Sequence, residues 1–147
     1  RVGLMGYSYG GYMAMWIPTQ TTRFAATVAG GGVSDWLSIE GEQGIVTSDI
    51  PFFGAPIYDN PAPYLAASPI LHMKAMHTPA FVYVGERDLE CPMPQSQEYV
   101  QALRFLGVPN AFVVYPGLGH GLDDPAVRTD VAARTTAWFA RWFASRT

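Results

Sequence analysis

Near its start the chain reads Gly6-Tyr7-Ser8-Tyr9-Gly10-Gly11, the spacing of a serine nucleophile set on a sharp strand-to-helix turn. In a G-x-S-x-G run the central serine adopts a strained backbone, and glycines two residues to either side let strand and helix approach closely. The Ser8 hydroxyl would then project freely. The Tyr9 N–H would stand at the helix N-terminus, where unpaired donors and the helix dipole favour a developing oxyanion. The plain alternative is a glycine-rich helix cap. A dinucleotide fingerprint fits less well, because Tyr7 and Tyr9 would obstruct a pyrophosphate and the G-x-G pair is missing.

A nucleophilic serine needs a base and an orienting acid, and behind such a turn they arrive in the chain order Ser, acid, His. His120, in Gly117-Leu118-Gly119-His120-Gly121, follows a strand candidate and is the expected base; His72 and His77 flank a helix end and suit structural roles. Gly85-Glu86-Arg87-Asp88-Leu89-Glu90-Cys91-Pro92 offers three acids. Asp88 is favoured because a short arm best holds an imidazole; Glu90 is the fallback. Asp35, Asp49, Asp59, Asp123, Asp124 and Asp130 fall in turns or helix starts, where capping or solvent exposure is the default. Cys91 reads as a small buried packer.

The elements that would position these groups alternate. Arg1 to Gly6 reads as a buried strand and about Tyr9 to Thr19 as a buried helix. Phe24 to Ala29 is a second strand candidate, closed by Gly30-Gly31-Gly32. Val33 to Met76 is irregular, rich in aromatics and prolines, with helical signals near Trp36 to Glu42 and Pro69 to Met76; it is expected to be an excursion over the sheet. Ala80 to Gly85 is the clearest strand, bounded by Pro79 and Gly85. A helix from roughly Pro94 to Leu106, a strand Ala111 to Tyr115 and a helix of about Pro125 to Ala144 complete the series. The last helix stacks Val127, Val131, Thr135, Trp138 and Trp142 along one side. Strands alternating with helices imply a mainly parallel sheet of about four strands, an α/β fold.

Composition narrows the chemistry. The 147 residues carry 9 basic and 12 acidic side chains, a net charge of -3. Lys74 is the one lysine, so a phosphate-neutralising surface, and hence nucleic acid, is excluded as a main partner. No apolar run reaches the roughly 18 residues of a membrane helix, and a soluble chain is expected. One cysteine builds neither an intrachain disulfide nor a thiolate zinc site, leaving the compartment open. The opening at Arg1, directly inside an apolar run, reads as the middle of a longer protein.

Taken together, Gly6-Tyr7-Ser8-Tyr9-Gly10-Gly11-Tyr12, Ser68-Pro69, Thr78-Pro79, Gly85 to Asp88, and Tyr115-Pro116 through Gly119-His120-Gly121 closely resemble the catalytic domain of the prolyl oligopeptidase family of serine peptidases. That group includes dipeptidyl peptidases and acylaminoacyl peptidases. The resemblance covers nearly the whole chain. It implies the C-terminal half of an α/β-hydrolase domain over residues 1–147, with upstream strands and any β-propeller lying outside it. It also implies acyl-enzyme chemistry at Ser8 with His120 as base, Asp88 as its partner and the Tyr9 N–H in the oxyanion site, and no metal or cofactor. Residues matching Val33, Trp36, Ile39 and an aromatic near Phe52 and Phe53 help form the pocket for the side chain preceding the cleaved bond; plain core or lid packing is the alternative for each. The position of Glu90 often holds Arg or Asn in the family, contacting a substrate carbonyl, a bond that an ionised carboxylate cannot donate. A second oxyanion donor, a tyrosine hydroxyl from an upstream loop, is expected outside this chain; losing one such donor costs on the order of 10²- to 10³-fold in rate.

The expected function is cleavage of short peptides by a serine peptidase. A carboxylesterase using the same triad is the runner-up. A reading of another class is a catalytically silent assembly module: an unpaired apolar edge on the first strand would pair with the missing N-terminal portion or with a second copy.

Overall fold

The computed structural model describes residues 1–45, 47 and 49–144. Strand β1 (Gly3–Tyr7) leads directly into helix α1 (Tyr9–Gln20), and β2 (Ala26–Gly30) follows. The excursion after β2 holds a 3-10 turn (Ser38–Gly41), short helices α2 (Ile50–Phe53) and α3 (Ala62–Ala67) and a longer 3-10 segment (Pro69–Ala75). Then come β3 (Ala80–Gly85), α4 (Met93–Phe105), β4 (Asn110–Tyr115) and α5 (Pro125–Ala144). The described strands form one sheet in the order β1-β2-β3-β4, each pair parallel. All four carboxyl ends therefore open on the same side, which brings the residues after each strand into one rim.

Residue alternation divides the strands between two cores. Ala80 and Val82 of β3 face a cluster with Ala14 and Met15 of α1, Met73 and Met76, and Tyr99, Val100 and Leu103 of α4. Phe81 and Tyr83 face the opposite cluster with Val28 of β2 and Val127, Val131, Trp138 and Phe139 of α5. A strand buried on both faces reads as a continuous apolar run, which is why Ala80 to Val84 shows no polar alternation. Full burial of a side chain such as Leu103 contributes about 1.5–3 kcal/mol, and the buried Tyr99 hydroxyl is satisfied by the Met15 carbonyl at 3.2 Å. Along α5, Val127, Val131 and Trp138 of the expected stack meet the sheet's cluster, Phe139 joins them, Thr135 is buried, and Trp142 packs on Trp138 instead.

The excursion forms 3-10 turns near both expected helical signals and adds two helices that were not expected. Helices α2 and α3 escape notice in the sequence because each is only one or two turns long and opens with proline. Polar side chains pin the segment in place. Gln95 of α4, fully buried, accepts from the Ser34 and Asp35 N–H groups at 3.1 and 2.9 Å and donates to Ser38 Oγ and Glu42 Oε2 at 2.8 and 2.9 Å. Ser68 Oγ accepts from the Trp36 N–H and donates to the Tyr64 carbonyl, each at 2.9 Å. No helix among the described residues is long and apolar enough to cross a membrane.

Candidate active site

Ser8 sits between β1 and α1 at φ 60° and ψ -121°, a positive-φ backbone position unusual for a residue with a Cβ. Its N–H donates to the Gly30 carbonyl at 2.9 Å and its carbonyl receives the Tyr12 N–H at 2.9 Å, so both flanking elements hold the strained turn. Gly6 is required by contact: a Cβ there would lie 2.1 Å from the Gly10 carbonyl oxygen. Gly10 itself faces open space, whereas a Cβ on Gly11 would lie 2.2 Å from the Gly30 carbonyl oxygen, so α1 approaches β1 at Gly6 and β2 at Gly11. The Tyr9 N–H occupies the first helical position, which has no intrahelical acceptor.

Asp88 follows β3 with its side chain fully buried. Its Oδ1 accepts the Glu90 and Cys91 N–H groups at 3.0 and 2.8 Å, while Oδ2 lies 2.8 Å from His120 Nδ1. An ionised carboxylate only accepts, so the proton sits on Nδ1 and leaves Nε2 as an acceptor. Nε2 lies 2.8 Å from Ser8 Oγ, positioned to accept the hydroxyl proton. Behind the imidazole, Tyr7 donates its hydroxyl to the His120 carbonyl and stacks obliquely at 5.1 Å. Burial and the nearby Asp88 push the Tyr7 hydroxyl pKa well up, keeping it a neutral donor. Gly31, at φ +47°, leaves room for the acid, since a Cβ there would stand 3.2 Å from Asp88 Oδ2.

The other acids and bases lie elsewhere. Glu86 accepts from the Gly117 N–H at 2.7 Å, tying the β3 and β4 exits together. Glu90 approaches His120 Nε2 at 3.6 Å with half its side chain exposed, at the mouth of the site and not behind the imidazole. His72 bonds the Ala66 carbonyl at 3.0 Å and meets the edge of Trp16, while His77 is exposed. The Cys91 thiol is buried and pushed up to about 12, by burial first and Asp88 second, so it stays neutral beside Ser8.

A cavity of about 200 Å³ opens beside Ser8, lined by Val33, Trp36 and Ile39 together with Tyr9, Tyr12, Phe52, Glu90 and Cys91 among others. Phe53 departs from the expected set. Phe52 faces the cavity and stacks on Tyr9 at 5.5 Å, whereas Phe53 packs behind it against Trp36 and Tyr64 at 5.3 and 4.0 Å. Consecutive helical residues point about 100° apart, so one aromatic of the pair faces the cavity and the other the core.

Asp49 departs further. It precedes α2 yet makes no side-chain cap, and it is only 1% exposed while lining the same cavity. Capping does describe Asp35, whose Oδ1 accepts the Leu37 N–H, and Asp124, whose Oδ1 accepts the Ala126 N–H. Asp49 instead faces Glu40, whose carboxyl is raised to about 7 by hydrogen bonding to Asp49 and by burial. Nothing in the sequence marks this turn as buried. Among the described residues no group of three His, Cys, Asp or Glu side chains could hold a metal.

Residues 1–146 match the prolyl oligopeptidase family. The chain belongs to the prolyl oligopeptidase family. Within that family it is 31% identical over 148 residues to the uncharacterized peptidase YuxL of Bacillus subtilis, covering 95% of this chain and 22% of that protein. It is 28% identical to an acylamino-acid-releasing enzyme of Arabidopsis thaliana, covering 97% of this chain and 20% of the other. This prolyl oligopeptidase family chain therefore spans about a fifth of the length of the curated relatives it matches. Among solved structures, an acylaminoacyl peptidase in complex with Z-Gly-Gly-Phe-chloromethyl ketone superposes with a TM-score of 0.89 at 28% identity, over 95% of this chain and 23% of that one. The parallel sheet flanked by helices is that of the α/β-hydrolase peptidases.

Proposed function

We propose that this chain carries the nucleophile, base and orienting acid of a serine peptidase that cleaves short peptides through an acyl-enzyme on Ser8. The observation that carries the reading is the unbroken line from Ser8 Oγ to His120 Nε2 and from His120 Nδ1 to Asp88 Oδ2, 2.8 Å at each step. Ser8 Oγ attacks the scissile carbonyl carbon as Nε2 takes the hydroxyl proton, and the carbonyl electrons move to an oxyanion received by the Tyr9 N–H. The imidazolium, held by Asp88, then gives the proton to the leaving amine as the carbon–nitrogen bond breaks. Water repeats the sequence on the acyl-enzyme and regenerates Ser8. Val33, Trp36 and Ile39 hold the side chain preceding the cleaved bond, and Glu90 lies at the entrance. The acylaminoacyl peptidase that superposes on this chain is in complex with Z-Gly-Gly-Phe-chloromethyl ketone, a peptidyl compound, which supports a peptide substrate.

The test is turnover of p-nitrophenyl acetate by the chain beside Ser8→Ala. Turnover that disappears in Ser8→Ala is expected; equal rates exclude triad catalysis. The same triad chemistry cleaves esters, so relative kcat/KM for matched peptide and ester substrates separates peptidase from carboxylesterase.

One observation also favours association. Strand β1 pairs only with β2 among the described strands, and Met5 on it is 60% exposed. An apolar edge of this kind adds a further strand, from another portion of the same protein or from a second copy. Light scattering at micromolar concentration is expected to give a mass above 16.1 kDa; a monomer overturns this part.

A further inference from the structure

The cavity beside Ser8 has an acidic floor. Asp49 is 1% exposed, and among the described residues no N–H group or cation bonds its carboxylate, whose hydrogen-bonding partner is the Glu40 carboxyl. It does not cap α2, whose N-terminus it precedes. Its neighbours outside the cavity lining are Glu40, with a buried Oε1, and Tyr64, whose hydroxyl donates to the Ala55 carbonyl at 2.8 Å. Two carboxyls facing each other away from water need a positive charge between or beside them: a proton shared by the pair, or a cation. Among the described residues no Lys or Arg lines the cavity, and Glu90 adds a second carboxylate at its mouth. The walls are the faces and edges of Trp36, Tyr9, Tyr12 and Phe52, surfaces that attract an organic cation and along which a planar guanidinium stacks. A metal ion fits less well, since no three-residue ligand group converges there among the described residues.

Resting on the reading of Ser8 as the nucleophile, we propose that Asp49 makes this cavity a pocket for a positively charged side chain, arginine or lysine, on the acyl side of the cleaved bond. The side chain would run between the aromatic walls and end on the Asp49 carboxylate, taking the place of the proton shared with Glu40. A neutral side chain of the same length would leave that carboxylate without a cationic partner. An apolar aromatic side chain would fill the walls and leave the floor unused.

Three measurements on the 147-residue chain test this and keep the two readings apart. A small alkyl fluorophosphonate reports on Ser8 alone. Peptidyl diphenyl phosphonates ending in arginine, norleucine or phenylalanine report on the cavity. Binding of 4-aminobenzamidine against neutral benzamide reports on the cation site without any chemistry. Arginine is expected to react roughly tenfold to a hundredfold faster than norleucine, the worth of one hydrogen bond to a charged group. Asp49→Asn should bring the two rates together and weaken 4-aminobenzamidine by a similar factor. The arginine-to-norleucine ratio is read on the unmodified chain, so it stands even if Asp49→Asn fails to fold. Norleucine or phenylalanine reacting as fast as arginine, with the fluorophosphonate active, overturns the pocket and leaves the Ser8 reading intact. A silent fluorophosphonate overturns the Ser8 reading, and 4-aminobenzamidine then decides the pocket: selective binding lost in Asp49→Asn supports it, and no selective binding overturns it.

Discussion

The rim that holds Ser8 and the excursion that walls its cavity are built on opposite terms. Around Ser8, His120 and Asp88 each polar atom that the chemistry uses has its partner. Asp88 Oδ1 is held by two backbone N–H groups, His120 by Asp88 and by Tyr7, and Ser8 by Gly30 and Tyr12. Four of these anchors are main-chain groups, of Glu90, Cys91, Gly30 and Tyr12, and two are the side chains of Asp88 and Tyr7. Further along the excursion, Asp49 reaches a buried position where its carboxylate meets the Glu40 carboxyl and no cation among the described residues. The wall around it rests on side-chain bonds from Gln95 and Ser68. On the proposed reading, the contrast teaches that the rim is organised by the fold itself, whereas the cavity floor would be completed by a charged side chain that enters it.

The change that should break the first half most severely is Asp88→Asn. It leaves the Oδ1 contacts possible but presents an amide to Nδ1, favouring the wrong tautomer, and turnover should fall on the order of 10⁴-fold. Unchanged turnover in a steady-state ester assay would mean that Glu90 or another group orients His120. Gly6→Ala should act through the backbone, since its Cβ would sit 2.1 Å from the Gly10 carbonyl. A destabilisation of about 1–3 kcal/mol in urea melts is expected, with loss of activity in whatever remains folded.

Gln95→Ala sharpens the comparison by loosening only the wall. It strands the buried Ser34 and Asp35 N–H groups and frees Ser38 and Glu42. A cost of about 2–3 kcal/mol is expected, along with loss of discrimination between substrates and little change in reaction with a small phosphonate. Equal losses with both probe sizes would show that rim and wall are one unit.

Much of the rim was legible in the sequence because glycine spacing and strand-turn-helix punctuation are local. Gly6, Ser8 and the break after Gly85 announce themselves within a few residues, and the helix Pro125–Ala144 shows its apolar side by periodicity. The wall was not legible in the same way. Asp49 before Ile50-Pro51 carries the pattern of a helix cap, and its burial is decided by Glu40 and Tyr64, residues brought beside it only by folding. Phe52 and Phe53 are chemically equal, and only the orientation of one short helix separates the cavity face from the core face. Gln95 looks like a surface residue until its four partners on the excursion are seen.

The smallest effect expected is on the pH dependence of stability. Glu40 lies at about 7 in the folded chain against an ordinary value of 4.5, so the folded state holds its proton more tightly than the unfolded state does. Its contribution is complete below 4.5 and is lost as pH rises through 7, with Asp49 and Tyr64 as the groups facing it. After solvent screening the change should be roughly 1 kcal/mol. Glu40→Gln should flatten that part of the stability profile in urea melts from about pH 4.5 to 8. A profile unchanged by Glu40→Gln would place the shared proton elsewhere.

The most direct test of the central claim, that the rim is assembled and reactive in this chain, is the intact mass after exposure to a fluorophosphonate, recorded beside Ser8→Ala and His120→Ala. One adduct on the parent chain and none on either variant is the predicted result. An unlabelled parent, or an adduct that persists in Ser8→Ala, would contradict it.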